Sequence, residues 1–374
     1  MHKLTILLMI SLLFLTSCWD QLLLKDARLV YGISFDLEED ESIFTTAVIR
    51  SIKQSARGAA QLEAANVIIS AKGNTLRETR TKLDQKIGGE LAPNKVRIFV
   101  LGEELAQTDI YPVLDILYRD PRSALGSKII IAKGRGEDIM KLDQVGEVLI
   151  SEEILELVRS AERNSFVSKE TVQSICTIMF DPGEDFYIPI IKKTEGNLVE
   201  VLGMALFNGR KYSGKNLIKD DATLFLLLKN QRGKLAKFTL EVNPEEKNKR
   251  ERFISIQVKD SKSKIHVKTL NKDEVSVIIN LKLKVDVMEY PKDQLANRSE
   301  IIKLNHKLST RLTEKAIKVV NTLQEANSDA FGIGRDLISF HPEVWDDLDW
   351  KKDYPNILIE PRVEVEITGT GIIK

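Results

Sequence analysis

The chain reads as an α+β protein of more than one domain, with mixed and antiparallel sheets and packed helices. Long strands and one long helix are expected in the C-terminal half. Three patterns predict this. Val275, Val277, Ile279, Leu281, Leu283, Val285 and Val287 alternate without a break with mostly polar neighbours, which is the period of a strand with one buried and one wet face. Leu304, Leu308, Leu312, Ala316, Val319 and Leu323 form a helical stripe across Ser299 to Glu325. Upstream, short apolar runs of strand length alternate with amphipathic segments of helix length.

Taken in order, Val30 to Phe35 and Ile43 to Ile49 are expected as strands around the acidic turn Glu38-Glu39-Asp40-Glu41. Thr75-Leu76-Arg77-Glu78 fits a capping box. The helix it starts puts Leu76, Leu83 and Ile87 on one face and stops at Gly88-Gly89. Val96 to Leu101 is a strand. Asp109 can cap a helix carrying Ile110, Val113, Leu114 and Leu117 at i, i+3, i+4 and i+7. Ile129-Ile130-Ile131 is a buried strand, followed by helices near Glu152 to Ala161 and Lys169 to Met179. Asp181-Pro182-Gly183 through Gly196-Asn197 is rich in turn signals and is the expected domain boundary. Beyond it come strand Val199 to Phe207 and the alternation Ile254, Ile256, Val258. The Val275 strand spans roughly 45 Å at about 3.3 Å per residue. After the long helix, Val363, Val365 and Ile367 oppose Glu364 and Glu366 in a last strand. Long antiparallel strands on a long helix make an α+β arrangement.

The 374 residues suggest two or three domains at about 100–200 residues each. The expected division is 30–195, with room for two subdomains, and 196–374. Apolar residues make up 43% and charged residues 29%, so true cores can form. The formal net charge is zero, and no global field draws in nucleic acid or an anionic membrane.

No catalytic constellation is visible. His266 sits between Ile265 and Val267 and faces solvent on a strand. His306 lies across the helix from Leu308, and His341 precedes Pro342 in a turn. None has a His or Cys at ligand spacing, so no metal site is expected. Cys176 shares an apolar helix face with Val172 and Met179 and is expected as a buried, inert thiol. Lys133-Gly134-Arg135-Gly136 and Phe331-Gly332-Ile333-Gly334 lack the third glycine and the strand–turn–helix context of a dinucleotide loop, and are expected as turns. There is no Gly-x-Ser-x-Gly elbow. The acid pairs Glu103-Glu104 and Asp346-Asp347 are simplest as solvated surface. The run Lys247 to Arg252, offset by Glu245, Glu246 and Glu251, is a solvated loop. Trp345 and Trp350 are expected in domain packing.

The N-terminus carries the sharpest local signal. Met1-His2-Lys3 precedes the apolar run Leu4 to Leu15, then Thr16, Ser17 and Cys18. These are the charged, apolar and small-residue regions of an export signal with a cysteine at the acceptor position. The run is short of the roughly 20 residues of a membrane span. The expectation is a lipoprotein signal at 1–17 and a lipidated tether at 18–29. Cys18 is the lipid attachment, an S-diacylglyceryl, N-palmitoyl cysteine. Two or more chains give stable attachment where one binds marginally. A secretory peptide with an incidental cysteine and an uncleaved short anchor are the alternatives. With Cys18 lipidated, Cys176 is left alone and no internal disulfide can form. A tether of about ten residues reaches about 35 Å, so the body stays near the bilayer.

Together these motifs resemble the Ger(x)C family, the lipoprotein C subunits of bacterial spore germinant receptors. The likeness starts at Cys18-Trp19-Asp20 and continues through Ser70-Ala71-Lys72-Gly73-Asn74-Thr75-Leu76 and Leu101-Gly102-Glu103-Glu104-Leu105-Ala106. Leu117-Tyr118-Arg119-Asp120, Ile131-Ala132-Lys133-Gly134 and Gly203-Met204-Ala205-Leu206-Phe207 follow. The tail is the most distinctive part: Ser328-Asp329-Ala330-Phe331-Gly332-Ile333-Gly334, Pro342-Glu343-Val344-Trp345, Trp350 and Gly369-Thr370-Gly371. The family often has Arg and Glu where Gln21 and Leu22 stand, and Gly-His where Ala92-Pro93 stands. The resemblance implies a non-enzymatic subunit without cofactor or metal. It would sit on the outer face of the cell membrane (the spore inner membrane) with A and B subunits of the receptor. It implies no direct germinant binding and no nucleic-acid partner. The alternative is a lipid-anchored extracytoplasmic solute-binding protein, which calls for a deep cleft with converging polar groups. A cell-wall hydrolase would need a carboxylate pair or metal that the sequence does not offer.

Overall fold

The computed structural model describes residues 27–54, 62–88, 90–142, 149–269, 275–293 and 295–371. The expected signal segment, Cys18 and most of the tether lie outside the described residues.

Strands β1 (Ala27–Leu37), β2 (Ile43–Gln54) and β3 (Leu62–Gly73) form an antiparallel meander. Helix α1 (Leu76–Asp84) follows, and β4 (Glu90–Ala92) pairs parallel with the start of β1. Strands β5 (Ile98–Gly102) and β6 (Lys128–Ala132) extend the sheet in parallel. Between them run α2 (Glu103–Ala106) and α3 (Tyr111–Arg119). Helices α4 (Gly136–Met140), α5 (Ile150–Arg163) and α6 (Val172–Met179) lead to β7 (Tyr187–Lys193), parallel to β6. Strands β8 (Val199–Asn208) and β9 (Lys211–Ile218) close the sheet antiparallel. The order is β3-β2-β1-β5-β6-β7-β8-β9. The expected boundary at 195/196 therefore falls in the turn between paired β7 and β8, where Gly196 has φ +73°. The first sheet continues to Ile218.

Local signals act much as expected. Thr75 Oγ1 accepts the Glu78 N–H at 3.2 Å. The Glu78 carboxylate accepts from Asn74 N–H at 2.8 Å, one residue before the box position. Helix α1 ends at Asp84, short of Gly88. Asp109 Oδ1 takes the Tyr111 N–H at 2.9 Å. Thr171 and Ser174 form a reciprocal capping box that starts α6 at Val172, later than Lys169.

Alternate residues of the parallel strands supply two cores. Phe99, Leu101, Ile129 and Ile131 pack with α1, α3 and α6 on one face. Ile98, Val100, Ile130 and Ala132 pack with α4 and α5 on the other. That second core runs on through α7 (Lys219–Leu228) into another sheet. Every residue from Ala222 to Leu228 is at most 1% exposed. A helix apolar on all sides marks a fully buried element.

The second sheet runs β10 (Lys237–Glu241), β11 (Phe253–Thr269), β12 (Val275–Glu289) and β13 (Leu358–Gly369). All seven alternating residues of β12 from Val275 to Val287 are buried, as the pattern requires. Helix α8 (Arg298–Glu325) buries Leu304, Leu308, Leu312, Ala316, Val319 and Leu323 against this sheet. Helices α9 (Ile333–Phe340), α10 (Pro342–Asp346) and α11 (Trp350–Asp353) follow. One expectation is corrected. β13 lies parallel to β12, so this sheet is mixed rather than antiparallel. The physical reason is α8, which carries the chain back along the sheet as a crossover connection.

Strand β13 is an edge, and α8 covers it. The N–H groups of Val363, Val365 and Ile367 donate to Thr313 Oγ1, Ser309 Oγ and Asn305 Oδ1 at 3.1, 2.9 and 2.9 Å. These acceptors stand at i, i+4 and i+8 on one helix face. Pro361, two residues before Val363, has no N–H to satisfy, which suits an edge position. An open strand edge invites pairing with other chains, and this one is closed by side chains.

Candidate functional site: a buried carboxylate junction

Two turns from distant parts of the sequence meet beside the end of α7. One is residues 181–186, between α6 and β7. The other is residues 328–332, between α8 and α9, together with the first turn of α9. Asp185 N–H donates to the Asp329 carbonyl at 3.0 Å, and Asp329 N–H donates to Asp185 Oδ2 at 2.8 Å. Asp185 Oδ1 also accepts from Gly209 N–H at 2.6 Å. Asp329 caps α9: Oδ1 accepts from Gly332 and Ile333 N–H, each at 3.0 Å, and Oδ2 from Gly334 N–H at 2.7 Å. Burial pushes the Asp329 carboxyl up to about 7 against these bonds, and burial also raises Asp185.

A charged layer surrounds this pair. Lys229, just past α7, meets Glu184 Oε1 at 2.5 Å and donates to the Ala330 carbonyl. Arg335 reaches Glu184 Oε2 at 2.8 Å and Asp181 Oδ2 at 3.0 Å. Burial acts to raise Glu184, but Lys229 and Arg335 outweigh it and hold the carboxyl below its ordinary value. Lys229 and Glu184 side chains are 11% and 9% exposed, and removing Glu184 would leave the buried Lys229 ammonium without its carboxylate.

Glycine makes this contact possible. A Cβ on Gly183 would lie 2.4 Å from Arg335 N, and one on Gly334 would lie 2.8 Å from Gly183 Cα. The Gly334 Cβ would also strike Trp345 and Trp350 at 2.9 Å each. Those two rings sit 5.4 Å apart and pack partly buried on the shared core, as the sequence suggested. Thus Phe331-Gly332-Ile333-Gly334 is more than a turn: it is a capped helix start that receives the 181–185 segment.

The other glycine stretch also needs correction. Lys133-Gly134-Arg135-Gly136 does occupy a strand–turn–helix, from β6 into α4. Its amide site is filled from within: Asp36 of β1 accepts from Gly136 N–H at 2.6 Å and Glu137 N–H at 2.9 Å. Gly102 clears space for this carboxylate, since a Cβ there would sit 2.2 Å from Asp36 Oδ1. Glu103 is engaged rather than merely solvated, holding Lys133 Nζ at 2.6 Å.

The remaining candidates stay apart. His266 and His306 are exposed, and His341 precedes α10. No group of His, Cys, Asp and Glu suited to a metal occurs among the described residues. Cys176 is half-buried rather than buried, because the inward stripe of α6 is Val172, Ile175 and Met179. Glu104, Asp346, Asp347 and Lys247 to Arg250 are exposed. No described helix is long and apolar enough to cross a membrane.

Fold and junction define a class: a multi-domain α+β protein whose halves are fused through a shared core and a buried carboxylate knot. The family follows from comparison. Residues 20–193 match the spore germination protein N-terminal domain, and residues 202–371 match the spore germination B3/GerAC-like C-terminal domain. The chain belongs to this spore germination protein family. Among relatives from Bacillus subtilis (strain 168), YfkR, whose name places it in spore germination, is 25% identical over 88% of this chain and 86% of its own. Spore germination protein KC is 22% identical over 99% of this chain and 96% of its own. The crystal structure of the GerBC protein shares the fold, with TM-score 0.54 and 16% identity over 90% of this chain and 97% of that chain.

The junction residues Asp185, Glu184 and Lys229 were not legible as a site in the sequence. The available signal was Asp329 ahead of Gly332-Ile333-Gly334, an aspartate placed to cap a helix.

Proposed function

We propose that the chain is the lipid-anchored C subunit of a spore nutrient germinant receptor, required for the receptor's assembly and signalling with its A and B subunits. The observation that carries this reading is the match of both germination-family domains, in order, over residues 20–193 and 202–371. The pattern ending at Cys18 supports attachment of diacylglyceryl and palmitoyl chains there, on the outer face of the spore inner membrane. Partner subunits would dock on broad polar faces. The outer face of the second sheet is one such surface, with Lys262, Lys264, Lys282, Lys284, Glu364 and Glu366 exposed. A docking role needs no catalytic group.

The test is genetic. Deleting the protein should block the nutrient response and leave nutrient-independent germination intact. Loss of both responses would contradict a receptor-specific role.

A further inference from the structure

Beneath β1 and β2, the layer formed by α1 and α3 leaves a void of about 70 Å³. Its walls include Ile33, Phe35, Ala47, Leu83, Phe99 and Leu117. The volume is several times the ~10–15 Å³ that a single water requires, room for a branched aliphatic end. An apolar void of this kind stays dry and takes apolar guests.

The mouth is polar and positive. Arg80 and Asp120 line it, paired at 2.9 Å and only 18% and 12% exposed. Arg80 spends one N–H on Asp120 and another on the Leu91 carbonyl at 3.5 Å, of the five a guanidinium carries. Asp120 is committed elsewhere as well, since its Oδ1 accepts from Arg122 N–H at 2.9 Å. Outside lies an open groove between α1 and α3 that shares Leu76, Ile116 and Asp120 with the void. Arg77, Arg119 and Arg122 line this groove. Arg119 is paired with Asp115, and Arg122 with Glu90 and Asp120, so with Arg80 the four guanidinium groups exceed these three carboxylates by one charge. Donors are left over at the point where an apolar floor begins.

We propose that this void and its mouth bind a small aliphatic carboxylate. The branched end enters the void and the carboxylate meets the remaining donors of Arg80, with Arg77 supplying positive field. A guanidinium suits a carboxylate through its planar fork, and the dry floor selects against a bare polar ligand. The site is separate from the Asp185–Asp329 junction and does not depend on the receptor reading.

The experiment is isothermal titration calorimetry on the processed protein, as produced in its host, in phosphatidylcholine nanodiscs. The probe is 3-methylbutanoate. The amine of the same shape, 3-methylbutylamine, and acetate, which lacks the branched end, are comparators. Saturable binding of 3-methylbutanoate is expected, with both comparators at least tenfold weaker. Ala47→Val puts methyl groups into the void. It should weaken binding at least tenfold while leaving the thermal midpoint equal or higher. Arg80→Gln should weaken the carboxylate at least tenfold and leave binding of neutral 3-methyl-1-butanol unchanged. Absence of saturable binding overturns the proposal. So does equal affinity for amine and carboxylate, or parental affinity in folded Ala47→Val or Arg80→Gln protein.

Discussion

Asp185 and Asp329 bind each other reciprocally: the Asp185 N–H donates to the Asp329 carbonyl at 3.0 Å, and the Asp329 N–H donates to the Asp185 carboxylate at 2.8 Å. The two residues are far apart in sequence; Asp329 also organises its own turn, and Asp185 also holds Gly209 in the turn between β8 and β9. The contact therefore fixes how the α6–β7 connection sits on the start of α9. Because α7 is buried in the core that spans both sheets, junction and core act together.

The Asp329 carboxyl gives this junction a pH signature. Its folded value, about 7, stands above the ordinary carboxylate value because of burial. Between those values the folded state holds a proton that the unfolded state has released. Stability from this group is thus full at low pH and is lost as pH rises through about 7. Asp329→Asn removes the titration and faces an NH₂ group toward one of the capped N–H groups. It should cost ~1–3 kcal/mol, the range for a buried donor left without its partner. The penalty relative to the parent should be larger at pH 5 than at pH 8, read by urea unfolding. A penalty that grows with pH would contradict the assignment.

Gly102 should tolerate no side chain. Gly102→Ala drives a Cβ toward Asp36 Oδ1 and disturbs the carboxylate that caps α4. A loss of ~1–3 kcal/mol is expected, as for overpacking in general. Gly126→Ala is the control, because nothing lies within 4 Å of its Cβ. Equal effects at both positions would refute the steric account.

The covered edge of β13 makes a third prediction. Asn305→Ala, Ser309→Ala and Thr313→Ala each strand one strand N–H, and each should cost ~0.5–1.5 kcal/mol. The triple variant should also self-associate in sedimentation velocity, since its edge is open to pairing. A monodisperse triple variant at high concentration would show that the side-chain ladder is not what protects the edge.

Shared burial around α7 predicts one unfolding transition. The described core should melt as a unit in scanning calorimetry, and Phe225→Ala should lower the whole transition, by ~3–5 kcal/mol in unfolding free energy. Two separated transitions, with only one shifted by Phe225→Ala, would contradict a common core.

Much of this architecture is legible in the residues, for identifiable reasons. β12 and α8 announce themselves because each buries one face, and half-burial writes a period into sequence. α7 is silent for the opposite reason: Ala222 to Leu228 are buried on every side and leave no stripe. β7 hides among turn signals because Pro189 and the flanking polar residues obscure a short buried run. The direction of β13 is not encoded in its alternation at all; the length and path of α8 set it. The junction is the least legible feature. Asp185 and Asp329 look like ordinary loop acids until folding brings their backbones together.

The most direct test of the receptor-subunit reading is a pull-down of the tagged protein from spore membranes, with partners identified by mass spectrometry. Co-recovery of the receptor's A and B subunits is the expected result. Recovery of the protein alone, under conditions that keep other membrane complexes intact, would contradict it.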